Sequence, residues 1–247
     1  MSIWEECSVL SPPCDITGQL VRVVESQEQI ATTHLVDNSI EDQMLLEEML
    51  DVSKPSISSQ WQSKFHYLLF TPFRYPPLKY GSRFGTRSEP SLFYGSLSPE
   101  TAFTETAYYR FLFWYDMEVA PGSSLLTHHT IFGVSYRSTK SIQLHQDPYV
   151  NYREDISHPS EYIKSQELGV SMRESGVELF EYNSARHTDG INVALFTPEN
   201  FLSTNPEYTR QCMCETKGDL VIIKDDGAVY KFELEQFIVD GELPKAA

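Results

Sequence analysis

"GSRFGTRSEPSLFYGSLSPETAFTETAYY", residues 81–109, changes character twice along its length. Glycines and serines around Arg83 make a turn-rich loop. The short apolar run Leu92–Tyr94 then predicts a strand. Ser98-Pro99-Glu100 opens a helix: serine accepts a hydrogen bond from an otherwise orphaned backbone N–H, proline occupies the first helical position, and glutamate meets the positive end of the dipole. Tyr94 therefore stands at the end of the strand, and Glu105 lies two turns into a helix that returns beside it. Arg83, Tyr94 and Glu105 follow one another at intervals of eleven residues, and the loop, strand and helix that carry them are expected to converge on one cleft.

Outward from this core the chain alternates short strand-like and helical pieces without a regular βαβ order. Strand patterns fall at 65–70, 91–94, 130–136, 177–180 and 191–196. A second helix is expected from Glu161 to about Glu174, closed by Gly176. Residues 220–234 read as a hairpin turning at Asp226-Gly227. The fold class that follows is α+β, with a largely antiparallel sheet and flanking helices. Residues 1–60 read as an acidic N-terminal extension carrying a helix over 39–50. Ser39 is its expected cap, and Met44, Leu45, Met49 and Leu50 form an apolar stripe expected to pack on the main domain. Lys54 to Ser59 is the connector, and 61–247 the main domain.

Bulk properties narrow the function. The 247 residues carry a formal net charge of −16, which repels phosphate backbones and anionic membrane surfaces, so direct nucleic-acid and membrane binding are not expected. Glu5 and Glu6 stand where a secretory signal carries basic residues, and no apolar run reaches the roughly 20 residues of a membrane span. The expected location is cytoplasmic. Cys7, Cys14, Cys212 and Cys214 lack zinc-type pairing and read as reduced thiols, with no metal site. No Gly-rich phosphate loop, HExxH or G-x-S-x-G elbow occurs.

Charge is distributed unevenly. Residues 1–60 hold eleven acidic side chains against Arg22 and Lys54, whereas 63–110 hold six basic (Lys64, Arg74, Lys79, Arg83, Arg87, Arg110) against three acidic (Glu89, Glu100, Glu105), a local +3. Two explanations stay open at this point: the island pairs with the acidic segment, or it receives a small anionic ligand through the planar guanidinium fork. A carboxylate beside guanidinium and aromatic groups suits cleavage of a bond between ribose and a cationic base, whose transition state has oxocarbenium character.

The stretches "TPFRYPP", "GSRFG", "LFYGS", "TAFTETAYYRFLF" and "FEYNSARHTDGINVALFTP", in that order over about residues 65–200, resemble the RES-domain family, named for an arginine, a glutamate and a serine. By position, Arg83, Tyr94, Glu105 and Ser184 fall on the family's signature residues, and Arg74 on a recurrent arginine. The resemblance implies a fold similar to bacterial ADP-ribosyltransferase toxins and activity on NAD+ as substrate, with no separate cofactor. Arg74, Arg83 and Phe84 are then expected to hold the dinucleotide. It also implies the toxin of a type II toxin–antitoxin module that depletes NAD+ by hydrolysis or phosphorolysis, neutralised by an Xre-type antitoxin that blocks the cleft. Protein mono-ADP-ribosylation and an inactive nucleotide- or partner-binding module are the alternatives. A homodimer is compatible with the aromatic surplus without following from it. Two positions depart from the family's habit: Phe84 stands where tryptophan is common, and Asn183 where proline is. Ser184 lacks the base and elbow of a nucleophile, so a positioning role is expected for it. Arg186 reads equally as a phosphate ligand or as half of a surface salt bridge.

Overall fold

The computed structural model describes residues 2–26, 40–53, 55, 59–75, 77–119 and 122–245. It is a mixed α+β fold built on one eight-stranded sheet. Helix α1 (Ile3–Cys7) precedes strand β1 (Cys14–Glu25); helices α2 (Ile40–Ser53), α3 (Ser59–Lys64) and α4 (Tyr67–Arg74) follow. Then come β2 (Phe93–Ser96), α5 (Pro99–Asp116), β3 (Leu125–Gln143), α6 (Arg153–Ile156), α7 (Ile163–Glu174), β4 (Leu179–Asn183), β5 (Ile191–Leu195), β6 (Tyr208–Thr216), β7 (Leu220–Asp225) and β8 (Ala228–Glu233).

The sheet runs β1-β2-β5-β4-β3-β6-β7-β8, and β1 also pairs with β3. Five strands thus form a closed circuit, from β1 through β2, β5, β4 and β3 back to β1, from which β6, β7 and β8 extend. The 19 residues of β3 make this geometry possible. Its first half pairs with β6, its middle with β1, and Ser141–Gln143 with β4 in the one parallel pairing among the described residues. Closure gives β1 a partner on both sides and leaves β8 as the sheet's edge among the described residues.

Helix α5 begins as the sequence predicts. Ser98 Oγ accepts from the Thr101 N–H at 3.2 Å, and Pro99 is the first helical residue. Phe103, Ala107 and Phe111 on its inner face pack against Cys212, Cys214, Val221 and Ile223 of β6 and β7. A second core under the circuit gathers Leu20, Leu69, Phe93, Phe132, Val193 and Phe201. The third lies beneath α7, where Phe84, Leu168, Met172, Phe180 and Tyr182 meet. The hairpin turns where expected, with Asp226 and Gly227 both at positive φ.

Three sequence expectations change. Residues 65–70 form no strand: the His66 ring caps α4 by accepting from the Leu68 N–H at 3.3 Å, and Leu68, Leu69 and Phe70 are buried. A short apolar run has no periodicity that separates a buried helical turn from a strand. Residues 14–25, inside the segment read as an extension, are a full strand of the circuit. Their Leu20-Val21-Arg22-Val23-Val24 run carries the β-branched pattern, but the acidic surroundings obscured it. Helix α2 exists, yet Met44, Leu45 and Met49 are exposed rather than packed, because spacing defines a face without defining its cover. The side chains of Ser39 and Leu50, and most of the connector, lie outside the described residues.

His128 and His129 point to opposite faces of β3, and only His129 is buried. Its Nε2 shares a hydrogen bond with Thr127 Oγ1 at 2.9 Å, while Nδ1 has no partner among the described residues. Burial, reinforced by Arg110 and His128, draws the ring down from 6.5 to about 4. The unfolded chain therefore binds the additional proton between these values, and stability present above pH 6.5 is lost as the pH falls toward 4. The melting temperature is expected to drop through this window, and His129→Gln to flatten the drop; a midpoint of the His129 ring titration near 6.5 by NMR would refute the assignment.

Candidate active site

A cleft of about 420 Å³ opens between β1, β2, α5 and the 81–86 loop, within the size range of small-molecule sites. Arg83, Tyr94 and Glu105 all line it, so the loop, strand and helix do converge. Ser184 stands immediately behind Glu105.

The carboxylate is held from one side. Glu105 Oε1 accepts from Ser184 Oγ and from Asn192 Nδ2, each at 2.7 Å. Ser184, just past the end of β4, is itself fixed: its Oγ accepts from the backbone N–H groups of Arg186 and His187 at 3.0 Å. Asn192, on β5, is oriented by Ser96 Oγ, which donates to Asn192 Oδ1 at 2.7 Å. This relay directs both donor protons at one oxygen and leaves Oε2 without a partner among the described residues. Ser184 thus positions the carboxylate, as the absence of a base and an elbow suggests. The sequence reading assigns Asn192 no role, although a lone amide within the apolar "INVALF" strand is the type of buried polar group that needs a partner.

The loop bearing Arg83 is fastened by α7. Ser165 Oγ donates to the Arg83 carbonyl at 2.6 Å, and Gln166 Nε2 donates to the carbonyls of Tyr80 and Ser82 at 2.9 and 3.0 Å. The Arg83 guanidinium stacks over the Tyr162 ring, 4.5 Å from its centroid, and donates to the His158 carbonyl at 2.7 Å. Its partners are neutral, so its charge is not cancelled. Tyr94 serves the loop as well: its hydroxyl accepts from the Phe84 N–H at 3.2 Å and bonds Ser82 Oγ at 2.9 Å. Burial pushes this phenol up to about 12, so it stays protonated.

Other expected residues are elsewhere. Phe84 is fully buried against Phe180 and Tyr182, and its side chain does not line the cleft. Arg74 donates to the Pro55 carbonyl at 2.6 Å, and it too is absent from the cleft wall. Of the six basic residues in the island, only Arg83 reaches the site. Its other cations come from distant sequence: Arg186, whose guanidinium lies 3.6 Å from the centroid of the Tyr108 ring, and Arg22 of β1. Among the described residues Arg186 makes no salt bridge; it donates to the Pro159 carbonyl.

No helix among the described residues is long and apolar enough to cross a membrane. A comparison with curated proteins finds no match. A family model described as RES domain matches residues 60–214, which takes in Arg83, Tyr94, Glu105, Ser184 and Asn192. The match covers more than half of the 247 residues, and the chain belongs to the RES-domain family.

Proposed function

We propose that this chain cleaves NAD+ at the bond between nicotinamide and ribose. The observation that carries the proposal is the one-sided restraint of Glu105, whose Oε1 takes both hydrogen bonds and whose Oε2 has no partner among the described residues, on the wall of a cleft lined by guanidinium groups and tyrosine rings. As the C1′–N bond breaks, its electron pair goes to the pyridinium nitrogen and neutralises the leaving nicotinamide. Positive charge develops on the ribosyl C1′ and ring oxygen, where a fixed carboxylate lowers the barrier. Arg83 meets a phosphate of the dinucleotide, and tyrosine rings contact the base and ribose. Water or inorganic phosphate then adds to C1′; water gives ADP-ribose and a proton, and phosphate gives the 1″-phosphate. In a cell such turnover depletes NAD+, the behaviour of a toxin, and an Xre-type antitoxin closing the cleft is the proposed control. Leu78 and Tyr109, exposed apolar residues on the cleft wall, are the surface offered to such a partner.

The test is to incubate the purified chain with NAD+, with and without inorganic phosphate. Free nicotinamide, accompanied by ADP-ribose or its 1″-phosphate, is the expected result. Labelled ADP-ribose attached to protein would select transfer to a macromolecule instead, and the absence of nicotinamide release would overturn the proposal.

A further inference from the structure

Arg22 is the charged residue of the cleft wall that the family match does not reach, since β1 precedes residue 60. Its guanidinium lies over the Phe93 ring, 4.6 Å from the centroid, and Nη1 donates to the Tyr94 carbonyl at 3.0 Å. That is the one hydrogen bond it makes among the described residues, out of five available donors. Among the described residues it has no carboxylate partner. Glu25, three residues along the same strand, pairs with Arg110 at 3.4 Å, and Glu105 is engaged by Ser184 and Asn192. Burial draws the Arg22 guanidinium down to about 10, with Tyr109 acting in the opposite direction. The group remains cationic at neutral pH.

Arg22 is half-buried on the cleft wall, and a cation partly withdrawn from water without an anion is unfavourable unless something compensates it. Two features of the cleft indicate what does. Among the described residues Arg22, Arg83 and Arg186 line it with Glu105 as the sole carboxylate, a local +2 in a protein of −16. Among the described residues none of the three guanidinium groups is paired with a carboxylate; backbone carbonyls and aromatic rings hold them in place. The fork of an arginine so held matches the oxygens of a phosphate group.

We infer that Arg22 is a phosphate-binding residue, supplied to the cleft by the N-terminal strand. The phosphate belongs to the dinucleotide's diphosphate or to inorganic phosphate acting as acceptor. Only the naming of these ligands rests on the NAD+-cleavage reading.

Titration calorimetry on the full chain and on Arg22→Gln and Arg22→Lys, with ADP-ribose, inorganic phosphate and nicotinamide riboside as probes, provides the test. Arg22→Gln is expected to weaken one of the two phosphate-bearing probes at least tenfold and to leave the riboside, which has no phosphate, within twofold. Loss confined to ADP-ribose places the diphosphate at Arg22; loss confined to inorganic phosphate places the acceptor there. Arg22→Lys, which keeps the charge without the fork, is expected to fall between and serves as the second variant should Arg22→Gln not fold. Unchanged binding of both anions, or an equal loss for the riboside, overturns the inference. These readouts need no turnover: a chain inert toward NAD+ that still loses anion binding in Arg22→Gln refutes the cleavage reading and leaves this one standing.

Discussion

Glu105→Gln is expected to slow nicotinamide release by about 10³-fold, a barrier increase of about 4 kcal/mol, while the melting temperature stays essentially unchanged. The expectation follows from the way the carboxylate is held. Ser184 Oγ and Asn192 Nδ2 both donate to Oε1 at 2.7 Å. A glutamine carbonyl in the same place accepts both bonds, and the amide nitrogen takes the position of the free oxygen. Packing and relay survive; the negative charge does not. Because that charge matters mainly once the ribosyl cation develops, kcat falls and KM for NAD+ changes little. Ser184→Ala and Asn192→Ala leave the charge but release its direction, with losses of roughly 10- to 50-fold in kcat. Their effects are expected to vanish in the Glu105→Gln background, because both act through the carboxylate. Wild-type turnover by Glu105→Gln would exclude Glu105 from the chemistry.

How far such a site can be read from sequence depends on whether its parts are local. The start of α5 is local: Ser98, Pro99 and Glu100 are adjacent, and each meets a need of a helix N-terminus. The hairpin at Asp226-Gly227 and the closing glycine of α7 are legible for the same reason. The convergence of Arg83, Tyr94 and Glu105 was accessible because a strand and a returning helix juxtapose residues at those intervals. Charge counting along the chain, by contrast, predicted a cationic island of which one member reaches the cleft, since neighbours in sequence diverge once α4, the loop and α5 leave in different directions. Arg22, Arg186 and Asn192 enter through strand pairing: β1 joins β2 and β3, and β5 lies between β2 and β4. Nothing in a local pattern specifies those pairings. Phe84 illustrates the opposite error, since an aromatic beside a binding arginine was expected to face the ligand, whereas Phe180 and Tyr182 enclose it.

Gly169→Ala is expected to lower the melting temperature by roughly 5–10 °C, equivalent to about 2–3 kcal/mol in a chain of this size, and to reduce kcat/KM at least 100-fold. In a helix interior this exchange ordinarily stabilises, by up to about 1 kcal/mol. At position 169 the sign reverses because α7 runs against the arginine loop: a Cβ there would lie 2.0 Å from the Phe84 carbonyl oxygen and 2.8 Å from its carbon. Both atoms are backbone, so no side-chain rotation relieves the overlap. The helix must withdraw or the loop must shift. Either movement strains the bonds from Ser165 and Gln166 to the loop carbonyls and the Phe84 N–H bond to Tyr94. Arg83 travels with the loop, which is why a substitution outside the cleft is expected to impair catalysis. Gly176→Ala is the control: that glycine has φ of +76° with nothing within 4 Å of the added carbon. It is expected to cost about 1 kcal/mol in backbone strain and to leave kcat/KM unchanged. A Gly169→Ala protein as stable and active as the wild type would show that α7 does not hold the loop at this distance, and with it would fall the account of how Arg83 is presented to the cleft.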